Sequence, residues 1–257
     1  MISLCFLTLL LYAAPFAQDL SPYQKKWLVQ GSDTLPYRIL LPKDYDTAKK
    51  YPVLFFLHGA GERGRDNEKQ LVHGAKLFLQ QDIRDHFKAI IVFPQCAEND
   101  YWSNVLRMHD DKGKRTFTFL EEGAPTRHMV LLQELVRYVI QNYPVKKEQE
   151  YTGGLSMGGM GVFELVRRMP KTFDAAFPIC GGANPATAIK MKKTNWWIFH
   201  GAKDNVVPPQ HSEDMYRALK AAGSKVKFTL YPGANHNSWD DTFAEPGLLN
   251  WLFSQHQ

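Results

Sequence analysis

The sequence predicts an α/β fold in which a mostly parallel central sheet is flanked by helices on both faces. Three observations lead there. Continuous apolar runs at residues 51–57 (Tyr-Pro-Val-Leu-Phe-Phe-Leu) and 89–94 have the length and composition of strands buried on both faces. Other segments place apolar residues at helical spacing, as Met129, Leu132, Leu135, Val136, Val139 and Ile140 do within 126–143. The strand-like runs end in Gly-rich turns, so strand and helix alternate, and right-handed crossovers bring the strand C-terminal ends to one edge.

In chain order, residues 2–17 carry no charged side chain and end Ala13-Ala14-Pro15-Phe16-Ala17 before Gln18. This reads as a cleaved secretory signal, 1–17, with an uncleaved anchor or a wrongly chosen start codon as the alternatives, and it implies a secreted or periplasmic protein whose residues 18–257 form one domain. No later segment is long and apolar enough to span a bilayer. Residues 26–29 and 37–42 read as antiparallel strands about a turn at Gly31-Ser32-Asp33. The strand at 51–57 runs into the Gly-rich loop His58-Gly59-Ala60-Gly61-Glu62-Arg63-Gly64, followed by a helical stretch over 67–81 and the strand at 89–94.

An insertion at 95–125 shows weak periodicity and holds Tyr101, Trp102, Ser103 and Asn104. Connections this long inside a compact domain are usually functional or disordered, so it reads either as a substrate-side wall or as a mobile surface loop. The amphipathic helix at 126–143 follows. A strand near 150–153 leads into Gly154-Leu155-Ser156-Met157-Gly158-Gly159 and a helix carrying Met160, Val162, Phe163, Val166 and Met169. Beyond it come a strand at 174–179, a strand at 195–199, a helix at 212–222 stopped by Gly223, a last strand at 226–231 and a helix at 247–253.

Composition narrows the function classes. The chain has 257 residues, 44% of them apolar, and its net charge of +5 is spread along its length, which gives no support to nucleic-acid binding. Of three cysteines, Cys5 falls in the signal, while Cys96 and Cys180 near strand ends read as buried thiols rather than a disulfide. No Cys/His spacing suggests zinc, and no metal or organic cofactor is implied.

The chemistry lies just past the predicted strand ends. Gly154-x-Ser156-x-Gly158 between strand and helix fits a nucleophile elbow, where a sharp turn holds a serine over the sheet edge; the plain alternative is a Gly-rich connection with a capping serine. A serine hydroxyl needs an imidazole to take its proton, and the imidazole needs a carboxylate to hold its tautomer. His236 and Asp204, each beyond a later strand, suit those roles, and the order Ser…Asp…His is that of the α/β-hydrolase fold. His58 and His200 also end strands, but each precedes Gly in a turn where the ring ties down local backbone. Asp240 and Asp241 follow His236 so closely that they fit the cap of the next helix, and Asp174 precedes its strand, at the wrong edge. The backbone N–H groups of Met157 and Ala60 are the candidate oxyanion donors. Trp102, Tyr101 and Trp239 are candidates to stack on a sugar ring or aromatic acyl group, or else simply to fill the cleft wall.

The segments His58-Gly59-Ala60-Gly61-Glu62-Arg63-Gly64-Arg65-Asp66-Asn67, Gly154-Leu155-Ser156-Met157-Gly158-Gly159 and His200-Gly201-Ala202-Lys203-Asp204-Asn205-Val206-Val207-Pro208 together resemble a family of secreted bacterial α/β-hydrolases. These are carboxylesterases of the phospholipase/carboxylesterase and feruloyl-esterase-like type, related to prolyl oligopeptidase catalytic domains. The resemblance runs from about Tyr37 to the C-terminus. It implies ester hydrolysis through an acyl-enzyme, with Ser156, Asp204 and His236 as the triad. The expected partner is a small-molecule or polysaccharide-linked ester, such as a feruloyl or acetyl ester of plant polysaccharide. A prolyl-oligopeptidase-like peptidase and a non-catalytic binding protein on the same scaffold are the alternatives. The chain departs from the family pattern in a more polar strand before the elbow (147–152) and in the long insertion at 95–125.

Overall fold

The computed structural model describes residues 19–113 and 115–256, so the proposed signal at 1–17 lies outside the described residues. Among the described residues, ten strands appear in chain order: β1 (Gln24–Gln30), β2 (Asp33–Leu40), β3 (Tyr51–Leu57), β4 (Ile90–Pro94), β5 (Val105–His109), β6 (Arg115–Phe119), β7 (Val145–Leu155), β8 (Ala175–Ile179), β9 (Asn195–Gly201) and β10 (Val226–Tyr231). Eight of them form one sheet in the order β1-β2-β4-β3-β7-β8-β9-β10. The first three positions pair antiparallel, and every pair from β4 to β10 is parallel.

The helices are α1 (Gln81–His86), α2 (Arg127–Asn142), α3 (Met157–Arg168), α4 (Gln210–Ala221), α5 (Trp239–Phe243) and α6 (Leu248–Phe253). Strand β3 shows why its apolar run is continuous. Val53, Phe55 and Leu57 enter a core shared with α2, α3 and α4, whereas Leu54 and Phe56 enter a second core shared with α6. Successive side chains leave opposite faces, so a strand covered on both sides must be apolar at every position.

Helix α2 starts where its sequence says it should, with the Thr126 side chain accepting from Met129 N–H. The polar stretch ahead of the elbow is the outer part of β7, which begins at Val145 and joins β3 with a register shift. Val145 packs into the core, the next residues are exposed, and β7 is continuously buried only from Glu150 onward.

Two expectations are corrected. Residues 67–81 are not one helix; they form two short 3-10 turns, Lys69–Leu71 and Leu77–Leu79, ahead of α1. Gly74 breaks the run at φ +82°, where a Cβ would also meet Phe243 at 3.0 Å. The 95–125 insertion, weakly periodic in sequence and expected to be a wall or a loop, carries regular structure, since β5 and β6 pair in it as a separate antiparallel hairpin. Its turn places Gly113 at φ +75°, and Phe119 packs edge-on against His211 at the start of α4.

At the edge of the sheet where β7 enters the core and β8 begins, away from the elbow, two carboxyl groups meet. Glu150 N–H donates to Asp174 Oδ2 at 2.9 Å, and Asp174 N–H donates to the Glu150 carbonyl at 2.9 Å. Burial, then the hydrogen bond and charge of Asp174, push the Glu150 carboxyl up to about 7. An acid raised this way binds its proton more tightly in the folded chain than in the unfolded one. Its contribution is therefore full below the unfolded value of about 4.3 and is lost as pH rises through about 7, at about 1.4 kcal/mol per unit. Melting temperature is expected to fall across this window. Glu150→Gln is expected to flatten the fall, and an unchanged slope in that variant would contradict the assignment.

Candidate active site

The elbow is tight because three chain segments converge on it. Ser156 stands between β7 and α3 with φ 55° and ψ −116°, a strained conformation for a residue with a side chain. Its N–H donates to the Ile179 carbonyl at the end of β8 at 2.8 Å. An added Cβ would lie 1.9 Å from the Leu57 carbonyl oxygen at Gly158, 2.7 Å from the Gly158 oxygen at Gly154, and 2.5 Å from the Ile179 oxygen at Gly159. Each of these contacts is with backbone, which has nowhere to move. The elbow glycines are thus steric requirements of a turn wedged between β3 and β8.

That turn brings together residues far apart in the chain. His236 Nε2 lies 2.9 Å from Ser156 Oγ, and His236 Nδ1 lies 2.7 Å from Asp204 Oδ2. Since a carboxylate only accepts, the ring proton sits on Nδ1, an assignment from the hydrogen-bond network, and Nε2 is left to accept from the serine. The Asp204 side chain is fully buried and that of His236 is 20% exposed, so the pair opens to solvent on the histidine side. Burial works to raise the Asp204 pKa. Hydrogen bonds from His200 and His236, the His236 charge and the Val207 N–H outweigh it and hold the carboxyl well below the usual carboxylate range.

The loop after β3 lies against the elbow. A Cβ on Gly59 would meet Leu155 Cδ1 at 2.9 Å, and Ala60 opens the 3-10 turn Ala60–Glu62. Met157 is the first residue of α3, so its N–H has no acceptor within the helix. The two backbone groups expected to hold an oxyanion thus each open a helical segment, Ala60 the 3-10 turn and Met157 the helix α3. His58 behaves as the sequence suggests, a structural tie: Cys96 N–H donates to its Nε2 at 2.9 Å, and its Nδ1–H donates to the Gly59 carbonyl at 2.6 Å. Burial pushes its pKa down to about 4, which keeps the ring neutral.

Of the three aromatic candidates, only Trp239 stands beside the chemistry. It is partly exposed and packs edge-on to His236, with centroids 5.5 Å apart. Its other neighbour is His73 at 5.0 Å, whose Nε2 lies 3.7 Å from Glu62 Oε1. The stacking expectation fails for Trp102 and Tyr101. Trp102 is fully buried, its Cβ 2.5 Å from where Gly161 would carry one, and its ring lies edge-on to His58. Tyr101 is buried with its hydroxyl against Met160 Sδ at 3.9 Å and the Arg107 guanidinium over its ring at 4.3 Å. Both aromatics anchor the insertion to α3 and present no free face.

Other sequence readings find their places. Cys96 and Cys180 are free and buried. Asp240 and Asp241 sit in the first turn of α5 and do not cap it, the cap position being Ser238, while Asp174 immediately precedes β8, away from the serine. Cys180, Asp204 and His236 have donor atoms within 4.8 Å of one another, but the last two are already joined to each other and burial pushes the Cys180 thiol up. His200 exceeds its expected role, because it ties down the Val207 carbonyl and also reaches Asp204. The His200-Gly201-Ala202-Lys203-Asp204 segment was the only signal for that contact. The contacts of His73 with Trp239 and of Glu62 with His73 leave no signal in the sequence, for one residue lies in the Gly-rich loop and the other in the irregular stretch 67–81.

Comparison with known proteins agrees with this geometry. The family model for phospholipase/carboxylesterase matches residues 45–245. An endo-1,4-beta-xylanase/feruloyl esterase of Xylanibacter ruminicola is 29% identical over 192 residues, which cover 73% of this chain and 24% of that protein. A dipeptidyl-peptidase 4 of Giardia intestinalis is 21% identical over 253 residues, 82% of this chain and 31% of that one. The chain therefore spans less than a third of the length of these curated relatives. Among solved structures, a thermostable esterase superposes with a TM-score of 0.82 at 31% identity, covering 92% of this chain and 64% of the other. A ferulic acid esterase from Anaeromyces mucronatus, in complex with ferulic acid, shares the fold with a TM-score of 0.65 at 16% identity, covering 91% and 90%. With the elbow, the strand order and a family match over most of its length, the chain belongs to the phospholipase/carboxylesterase family of α/β-hydrolases.

Proposed function

We propose that the protein is a serine carboxylesterase. The observation that carries this reading is the unbroken chain from Ser156 Oγ to His236 to Asp204, at 2.9 and 2.7 Å, on a strained elbow. Ser156 Oγ forms a bond to the ester carbonyl carbon while His236 Nε2 takes its proton. The carbonyl electron pair moves onto oxygen, held by the Met157 and Ala60 N–H groups, with one such donor worth roughly 3–4 kcal/mol. The pair returns as the bond to the alcohol oxygen breaks, and His236 gives its proton to that leaving group. Water repeats the sequence on the acyl-enzyme. Every proton and electron pair moves among substrate, water and these groups, so the scheme calls for no metal or organic cofactor.

For substrate we favour a feruloyl or acetyl ester carried on plant polysaccharide. The support is the likeness to the xylanase/feruloyl esterase and the partly exposed Trp239 beside His236. Export to the periplasm or medium, by way of residues 1–17, suits a substrate of that size. No helix among the described residues is long and apolar enough to cross a membrane.

The test compares rates on feruloyl, acetyl-xylose and butyryl esters and on a prolyl anilide, with Ser156→Ala as blank. The feruloyl or acetyl-sugar ester is expected to exceed the butyryl ester by about tenfold or more in kcat/KM, a difference of about 1.4 kcal/mol. Equal rates on all esters would remove the polysaccharide assignment, and cleavage of the anilide alone would replace esterase with peptidase.

A further inference from the structure

The mechanism above gives no part to His200, a buried polar side chain at the site. Asp204 divides its two oxygens. Oδ1 accepts from the backbone N–H groups of Val206 and Val207 at 2.8 and 2.9 Å. Oδ2 accepts from His236 Nδ1 at 2.7 Å, and His200 Nε2 lies 3.2 Å from the same oxygen. The His200 side chain is fully buried, and its Nε2 also lies 2.9 Å from the Val207 carbonyl. Two oxygen acceptors at one ring nitrogen place a proton there. The far side of the ring is held too, with Nδ1 2.7 Å from Ser212 Oγ, a hydroxyl that also reaches the Gly181 carbonyl at 3.0 Å. His200 is thereby clamped by α4, by the turn after β8 and by its own loop, and it is aimed at the carboxylate.

We propose that His200 is a positioning residue for the esterase reaction, its buried Nε2–H donating to Asp204 Oδ2 and so limiting how strongly that oxygen holds His236 in its protonated form. The inference rests on the esterase reading. A carboxylate oxygen shared between two donors carries less charge toward each of them. Without His200, the whole of that charge acts on His236, which then keeps its proton to higher pH and is a free base over a narrower range. Hydrogen bonds from both His200 and His236 oppose burial and keep Asp204 ionised. The other titratable groups around this cluster are accounted for. Burial keeps Cys180 a thiol, and burial lowers the pKa of His211 on α4, against the nearby Asp214 charge. On the far side, His236 meets Ser156 and the uncharged Trp239, with His73 and Glu62 beyond.

Two substitutions separate this role from mere filling. In His200→Gln the amide nitrogen reaches the place of Nε2 and keeps a donor on Asp204. In His200→Asn the shorter amide reaches only the place of Nδ1, keeping Ser212 but leaving Oδ2 with a single donor. The measurements are kcat/KM against pH on the best ester, and melting temperature. His200→Asn is expected to lose roughly ten- to a hundred-fold in kcat, as a small misplacement of the base does. Its acid limb should move up by about half a unit to one unit, the scale of one lost hydrogen bond to an ionised group. His200→Gln should keep the wild-type limb and most of the rate, although it too loses the ring and melts below the wild type. A wild-type limb in His200→Asn, or equal defects in both variants, would overturn the proposal. Should neither variant fold, Ser212→Ala decides, since it frees the ring and should move the limb upward by a smaller amount; no movement would overturn it. Ser156→Ala keeps the two failures apart. If that variant is inactive and His200→Asn is unaffected, only the positioning role falls; if it stays active, the esterase reading falls and the proposal with it.

Discussion

Alanine at position 156 is expected to lower kcat for ester hydrolysis by about 10⁶-fold while leaving the melting temperature nearly unchanged. The Ser156 side chain makes no cap to α3, and its hydrogen-bond partner is His236. Removing Oγ therefore deletes the nucleophile without opening a cavity or orphaning a buried group. The strain at φ 55° stays, because alanine suffers there as serine does. Glycine relieves it, so Ser156→Gly should be as inactive as Ser156→Ala yet more stable, by about 1 kcal/mol. Rates on a short-chain ester and paired thermal melts check both statements. Substantial turnover by Ser156→Ala would remove serine chemistry altogether.

Asparagine at position 204 should cost both activity and stability. Four N–H donors converge on the carboxylate, those of Val206 and Val207 on Oδ1 and those of His236 and His200 on Oδ2. An amide offers one oxygen and one NH₂, so one end must set NH₂ against two donors. If the NH₂ faces the backbone pair, the buried Val207 N–H and the part-buried Val206 N–H go unsatisfied, at about 1–3 kcal/mol for the buried one. If it faces the histidines, His236 can accept at Nδ1 only by moving its proton to Nε2, where it points at Ser156 Oγ and can no longer act as base. The arrangement that best spares stability is thus the one that disables the serine. Asp204→Asn is expected to lower kcat by about 10⁴-fold, with a fall of about 5 °C or more in melting temperature. Loss of activity without loss of stability would mean that the four-donor clamp is not as described.

Much of this site was legible because each reacting residue lies just past a predicted strand, even though the strand before Ser156 is polar over 147–152. Ser156, Asp204 and His236 lie beyond β7, β9 and β10, and parallel pairing from β4 to β10 carries all three to one edge. What escaped depends on contacts between segments distant in the chain. The break at Gly74 answers to Phe243, which no local pattern around residues 67–81 foretells. The β5–β6 hairpin has only its own partner strand, and its faces are mostly exposed, so alternation there is faint. Trp102 and Tyr101 were misread because an aromatic in a long insertion looks the same in sequence whether it lines a cleft or anchors a loop. Burial against Gly161 and Met160 decides for the anchor. The second histidine on Asp204 was hidden for the opposite reason. His200 is close by in sequence, and its turn supplied a sufficient local role until the carboxylate was found within reach.

The most direct test of the proposed chemistry is mass mapping of a fluorophosphonate adduct on the intact protein. The serine–histidine arrangement predicts a single adduct on the peptide containing Ser156, absent in Ser156→Ala and greatly slowed in His236→Ala. An adduct on another residue, or undiminished labelling of Ser156→Ala, would contradict it.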